Sequence, residues 1–119
     1  MRWLFVGLAL CLVSPVAAAQ DAAVVGVGAV LRGLDKINGE VRDLDLVNGE
    51  EADFGSLVVK LTQCRYPDGD PASDAYAFLT IRGRASNRDL FAGWMLASSP
   101  ALNALEHPRY DVWVLRCKI

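Results

Sequence analysis

Ser98, Ser99, His107 and Asp111 fall in one short stretch and supply the residue types of a nucleophile, a base and a group that orients the base. With Ser99 and His107 as the reacting pair and Asp111 behind the histidine, the set would make a small hydrolase. Ser99 precedes Pro100, however, and a serine there caps a helix and spends its hydroxyl on backbone N–H groups. No G-x-S-x-G elbow or glycine-rich oxyanion loop accompanies the serines. His107, the only histidine, stands beside Pro108 at a helix end, where a plain hydrogen-bonding role accounts for it. Catalysis is therefore the alternative, and a non-enzymatic role the expectation.

"DGDPASD" places Asp68, Asp70 and Asp74 in one loop, and three carboxylates could offer oxygens to calcium. The twelve-residue calcium loop needs another spacing and a late glutamate. Asp-Gly and Asp-Pro are equally the marks of a solvated turn, so no metal or cofactor is expected. Glu50, Glu51 and Asp53 read as a second solvated turn, after Asn48-Gly49. Phe91, Trp94, Tyr110 and Trp113 could form a platform for a sugar or peptidoglycan, yet they alternate with Leu90, Leu96 and Leu115 and are expected in the core. Arg82, Arg84 and Arg88 make one local cationic patch, best used in ion pairs with the many carboxylates.

The elements that must hold these residues begin after the N-terminus. Met1-Arg2, the apolar run Trp3 to Val13, the break at Ser14-Pro15 and Ala17-Ala18-Ala19 together predict a signal peptide over residues 1–19, cleaved before Gln20. The run is shorter than the roughly 20 residues a membrane span takes. Leu10 before Cys11 argues against lipid attachment. Residues 20–28 form an Ala-, Val- and Gly-rich leader, and residues 29–119 one domain of ordinary size. "GVGAVLRG" lacks the third glycine of a dinucleotide loop. Without Arg2 the 12 Lys and Arg become 11 against 14 Asp and Glu, a net charge near −3, with no basic run for nucleic acid. No second long apolar segment follows, so no transmembrane anchor is expected once the signal is cleaved.

Export leaves Cys64 and Cys117 as the only pair in an oxidising compartment, which makes a disulfide the default over free thiols or half a metal site. Two Asn-Gly pairs, at 38–39 and 48–49, signal type I′ hairpin turns. The alternating runs "EVRDLDLV", "SLVVKLTQCRYP" and "DAYAFLTIRG", then Leu90 to Ala97 and Tyr110 to Cys117, predict six strands with the one entered from the leader. "DAYAFLTIRG" is apolar on both faces and reads as a strand covered on each side. Strict alternation puts Trp113, Leu115 and Cys117 together. The expected fold is mainly β, a single-domain antiparallel sandwich or small barrel. One short helix, "SSPALNALEH", is expected near the C-terminus, capped by Ser99, ended by Pro108, with Leu102 and Leu105 on one face.

The segments "FGSLVVKLTQCRYP", "AFLTI" and "LFAGWMLASSPALNALEHPRYDVWVLRCK" resemble the alphaproteobacterial secreted family called Domain of Unknown Function 2155, over about Ala29 to Lys118. The resemblance implies an exported envelope protein and carries over no catalytic residue. The expectation is a periplasmic binding or accessory module acting on an envelope protein or a cell-wall component. Its contact surface is sought on Ser98 to Tyr110, with Asn103, Glu106, His107 and Tyr110 as binding candidates.

Overall fold

The computed structural model describes residue 7, residues 9–12 and residues 22–119, so most of the expected signal peptide lies outside the described residues. Eight strands follow one another: β1 (Ala23–Val25), β2 (Gly28–Asp35), β3 (Val41–Val47), β4 (Glu51–Phe54), β5 (Leu57–Pro67), β6 (Tyr76–Gly83), β7 (Asp89–Leu96) and β8 (Tyr110–Lys118). The larger antiparallel sheet runs β1-β5-β6-β7, with β4 beside β1 on the same edge of β5. The smaller runs β3-β2-β8. The mainly β expectation holds. The barrel alternative does not, because no strand of one sheet pairs with the other among the described residues.

The core lies between the sheets. Leu57, Val59, Leu61, Ala77, Leu79, Ile81 and Met95 face it from the larger sheet, and Ala29, Leu31, Leu44, Leu46, Val112 and Val114 from the smaller. The period-2 pattern of a half-buried strand places these side chains. It breaks at two bulges. In β5 the register shifts between Leu61 and Gln63, and in the β2–β8 pair it shifts at Val30/Leu31, so that one extra residue, Leu115, stands in β8. An extra residue turns every later side chain to the opposite face. Cys64 thus joins Leu57, Val59 and Leu61 inside, and Cys117 joins Val112 and Val114. The expected grouping of Trp113 with Cys117 is corrected accordingly: Trp113 points to the outer face and is half-buried.

The cysteines meet across the core as the expected disulfide, with Cα atoms 5.7 Å apart, linking β5 of one sheet to β8 of the other. Beside them the residues read as leader do structural work. Gly26 donates its N–H to the carbonyl of Cys64 and Val27 to that of Lys118, so the chain passes from β1 to β2 between the two sheets. A side chain at Gly26 would come within 2.7 Å of the Lys118 carbonyl oxygen. The glycines of "GVG" serve close backbone approach.

Both Asn-Gly pairs turn the chain, but through one left-handed residue each. Gly39 (φ 76°) and Gly49 (φ 87°) are positive, and Asn87 is the only non-glycine so among the described residues. A type I′ turn needs two. The asparagine side chains act instead as clamps: Asn38 Oδ1 accepts the N–H of Glu40, and Asn48 Nδ2 donates to the Gly26 carbonyl.

The expected helix is absent. Ser99 to Leu102 closes a single turn, with the Leu102 N–H on the Ser99 carbonyl at 3.1 Å, and residues 103–109 run on without a helix or strand. A helix ended by Pro108 could span barely two turns, too short to repay its nucleation. Burial decides the alternative: Leu105 is 4% exposed and Leu102 72%, so the two do not share a face. The acidic run also differs from expectation. Glu51 and Asp53 belong to β4, on the solvent side of a strand whose Phe54 is buried.

Candidate functional site

The long crossing from β7 to β8, residues 97–109, carries Ser98, Ser99, Asn103, Glu106 and His107. Asn103 is exposed and its Nδ2 donates to the Trp94 carbonyl at 3.0 Å, tying the crossing to the free edge of β7. Glu106 is exposed. Tyr110 is buried, its ring edge-on to Phe54 at 5.7 Å and its hydroxyl accepting the N–H of Ser56 at 3.2 Å. His107 Nδ1 accepts two backbone N–H groups, from Arg109 at 3.0 Å and Tyr110 at 3.2 Å. That lone pair is spent, so the ring proton sits on Nε2.

The three proposed members of a triad have separate duties. Ser99 makes its turn through backbone atoms, and no hydrogen bond joins it to His107 among the described residues. Asp111 lies 3.8 Å from Lys36 Nζ. Ser98 donates its hydroxyl to Asp74 Oδ2 at 2.7 Å, while Asp74 Oδ1 accepts the N–H groups of Ser98 and Ala75. Asp74 thereby clips the β5–β6 loop to the end of β7. Asp70 Oδ1 accepts the Ala72 N–H in a local turn. No group of three His, Cys, Asp or Glu that could hold a metal occurs among the described residues, and Asp68, Asp70 and Asp74 are not drawn together.

Under the crossing sits one buried charge. Asp35, 3% exposed, receives Arg109 through Nε at 3.1 Å and Nη2 at 2.9 Å, and its Oδ1 accepts the N–H groups of Ile37 and Asn38. The Arg109 guanidinium holds the Asp35 carboxyl below the usual range; burial pushes the other way and loses. Because the folded value is below the unfolded one of about 3.9, the charged pair stabilises the fold above that pH, and the contribution drains away as pH falls through the folded value. Arg32 and Arg82 act likewise on Asp43 and Glu51. We expect Asp35→Asn to lower the melting temperature at pH 7 and to flatten its fall below about pH 4. A melting series from pH 2.5 to 7, with Asp43→Asn as the exposed comparison, checks this; an unchanged acid limb in Asp35→Asn would count against the pair.

Two recesses and one open face surround the crossing. A groove of about 250 Å³ runs past Pro100, Ala101, Ala104 and Trp113. A recess of about 390 Å³ opens between the β4–β5 turn, the β6–β7 hairpin and the crossing, and Arg84, Ser86, Arg88 and His107 line it. Arg82 and Arg84 pair with Glu51 (2.9 Å) and Asp53 (3.5 Å), as expected, whereas Arg88, the third member of that patch, makes no ion pair among the described residues. The outer face of the larger sheet holds the third feature. Trp94, expected in the core, is 38% exposed, because Met95 is the inward residue of that pair. Its ring is edge-on to Phe78 at 5.4 Å, and the Arg65 guanidinium lies 5.5 Å from its centre. Arg65, Tyr76, Trp94 and Leu96 line a depression of about 360 Å³. The apolar second face of "DAYAFLTIRG" was the sequence signal for this surface, but no layer of the described residues covers it.

A family model described as "Uncharacterized protein conserved in bacteria (DUF2155)" matches residues 29–117. The uncharacterized protein RP359 of Rickettsia prowazekii (strain Madrid E) is 36% identical over 88 residues, 71% of this chain and 56% of the relative. The chain thus spans little more than half the length of that relative. No solved structure matches.

Proposed function

The chain belongs to the DUF2155 family, and from that premise we propose that it is an exported, non-enzymatic binding module of the cell envelope. Export is supported by the apolar run Trp3 to Val13, the small residues Ala17 to Ala19, and a disulfide of the kind that persists in oxidising compartments. The observation that carries the binding reading is the half-exposed aromatic set Tyr76, Phe78 and Trp94 on an uncovered sheet face. Contiguous apolar surface of this sort has a use when a partner removes it from water.

Of an envelope protein and the cell wall, the face favours the wall. Trp and Tyr rings at a concave surface stack on sugar rings, and Arg65, which has no carboxylate partner among the described residues, suits an acidic sugar. The test is sedimentation of the mature domain with purified peptidoglycan. Trp94→Ala is expected to weaken it about thirtyfold, the scale of a central aromatic anchor, with the melting transition still cooperative. Failure to sediment, together with capture of one defined envelope protein through the same residue, would move the partner to that protein. Binding indifferent to Trp94 would remove the face from the reading.

A further inference from the structure

We propose that the recess between the β6–β7 hairpin and His107 binds an oxyanion, a carboxylate or phosphate on a small apolar stem. The inference rests on that recess alone and does not depend on the aromatic face.

Its polar wall is made of donors. The Arg88 guanidinium makes no ion pair among the described residues, although 14 acidic residues are present in the chain. Arg84 meets only Asp53, at 3.5 Å, with both side chains more than half exposed, a pairing of little strength that an incoming anion can share. Ser86 Oγ accepts the N–H of Arg88, which leaves its hydroxyl hydrogen free to donate. His107 completes the set. Its Nδ1 is committed to the backbone of Arg109 and Tyr110, so the edge it has left to offer is Nε2–H, again a donor. No carboxylate lines the recess.

The backbone fixes this arrangement. Asn87 adopts φ 53°, and its N–H bonds the Gly83 carbonyl while Gly83 N–H bonds that of Arg88, so the hairpin tip is closed at both ends. Arg84 N–H bonds the Ser56 carbonyl, anchoring the hairpin to the β4–β5 turn. On the far side, Lys36 Nζ holds the His107 carbonyl at 2.7 Å. The donors therefore stand on two braced segments, the hairpin and the crossing. Two guanidinium groups suit the paired oxygens of a carboxylate or phosphate. Leu57 and Leu90 form the apolar part of the wall, which is why the ligand is given a short apolar stem and not a bare ion.

The experiment is a titration of the full mature protein with inorganic phosphate and, separately, with propionate, at low ionic strength, followed by 1H–15N resonances. Saturable shifts confined to residues 84–88 and the His107 side chain are expected. Phosphate alone would name a phosphoryl ligand, propionate alone a carboxylate, and both the shared chemistry. In Arg84→Ala/Arg88→Ala the affinity should fall about tenfold or more, as two charge-assisted contacts are lost. Arg116→Ala, an exposed arginine on the other sheet, should leave it unchanged. Absence of saturable shifts with either anion, or shifts equal in the double variant, would overturn the proposal. Both arginines are exposed, so an unchanged melting temperature separates lost binding from lost fold.

Discussion

Cys64→Ala/Cys117→Ala is expected to lower the unfolding free energy by about 4 kcal/mol. The two cysteines are 53 residues apart in sequence, and cross-linking them removes that closure freedom from the unfolded chain. A domain of this size has only 5–15 kcal/mol in all, so the loss is a large fraction of the total. Its consequence is spatial as well. The bond joins the two sheets at the end where Gly26 and Val27 carry the chain between them, and the two backbone bridges there go to Cys64 itself and to Lys118, next to Cys117. Urea unfolding with and without reductant, against the double variant, reads the effect. The oxidised protein should unfold at clearly higher urea than either of the others, and those two should coincide. Equal midpoints for all three would show that the link contributes nothing beyond the packed core.

That disulfide also shows how far the sequence reaches. The pairing was legible from the expected export and from count, because only two cysteines follow the apolar N-terminal run. The way the two sulfurs come to face each other was not. Strict alternation puts Cys64 opposite Leu57, Val59 and Leu61, and Cys117 opposite Tyr110, Val112 and Val114; two bulges, each set by pairing with a distant strand, bring both inside. The β8 bulge falls between Trp113 and Cys117, so the two face opposite ways. A bulge is a property of two strands together, and no pattern within one strand announces it. The strands β5, β6, β7 and β8 were clear because alternation and turn residues agreed there. β4 was hidden because Glu51 and Asp53 look like loop, although as a strand they form the solvent side of an alternating run whose Ala52 and Phe54 turn inward. The site was legible in part. From the sequence His107 reads as a hydrogen-bonding residue with catalysis the alternative, and which nitrogen it has left to offer follows only from the backbone of Arg109 and Tyr110. For Trp94, an aromatic among leucines fits either face, and only its cross-strand partner, Phe78, decides between them.

The crossing itself supplies the second large effect: Leu105→Ala should cost about 2–5 kcal/mol, and Leu102→Ala less than about 0.5 kcal/mol. A capped helix with both leucines on its inner face would make the two substitutions comparable. In the observed loop Leu105 alone enters the core, 4% exposed, while Leu102 stands in solvent. Removing the Leu105 side chain therefore leaves a void under residues that have no helix or strand of their own. Apart from the attachments at its two ends, Ser98 to Asp74 and Arg109 to Asp35, the ties on the segment are single hydrogen bonds, Asn103 to the Trp94 carbonyl and Lys36 to the His107 carbonyl. Each contributes about 1 kcal/mol net, too little alone to hold thirteen residues between the sheets. Leu105 is the point at which the crossing becomes part of the fold, and His107 stands two residues beyond it. Hydrogen exchange of residues 103–109 should accelerate in Leu105→Ala before global unfolding does, and the anion-dependent shifts at His107 should weaken with it. If exchange there were unchanged while stability fell, the crossing would be held by its hydrogen bonds after all, and Leu105 would matter to the core alone.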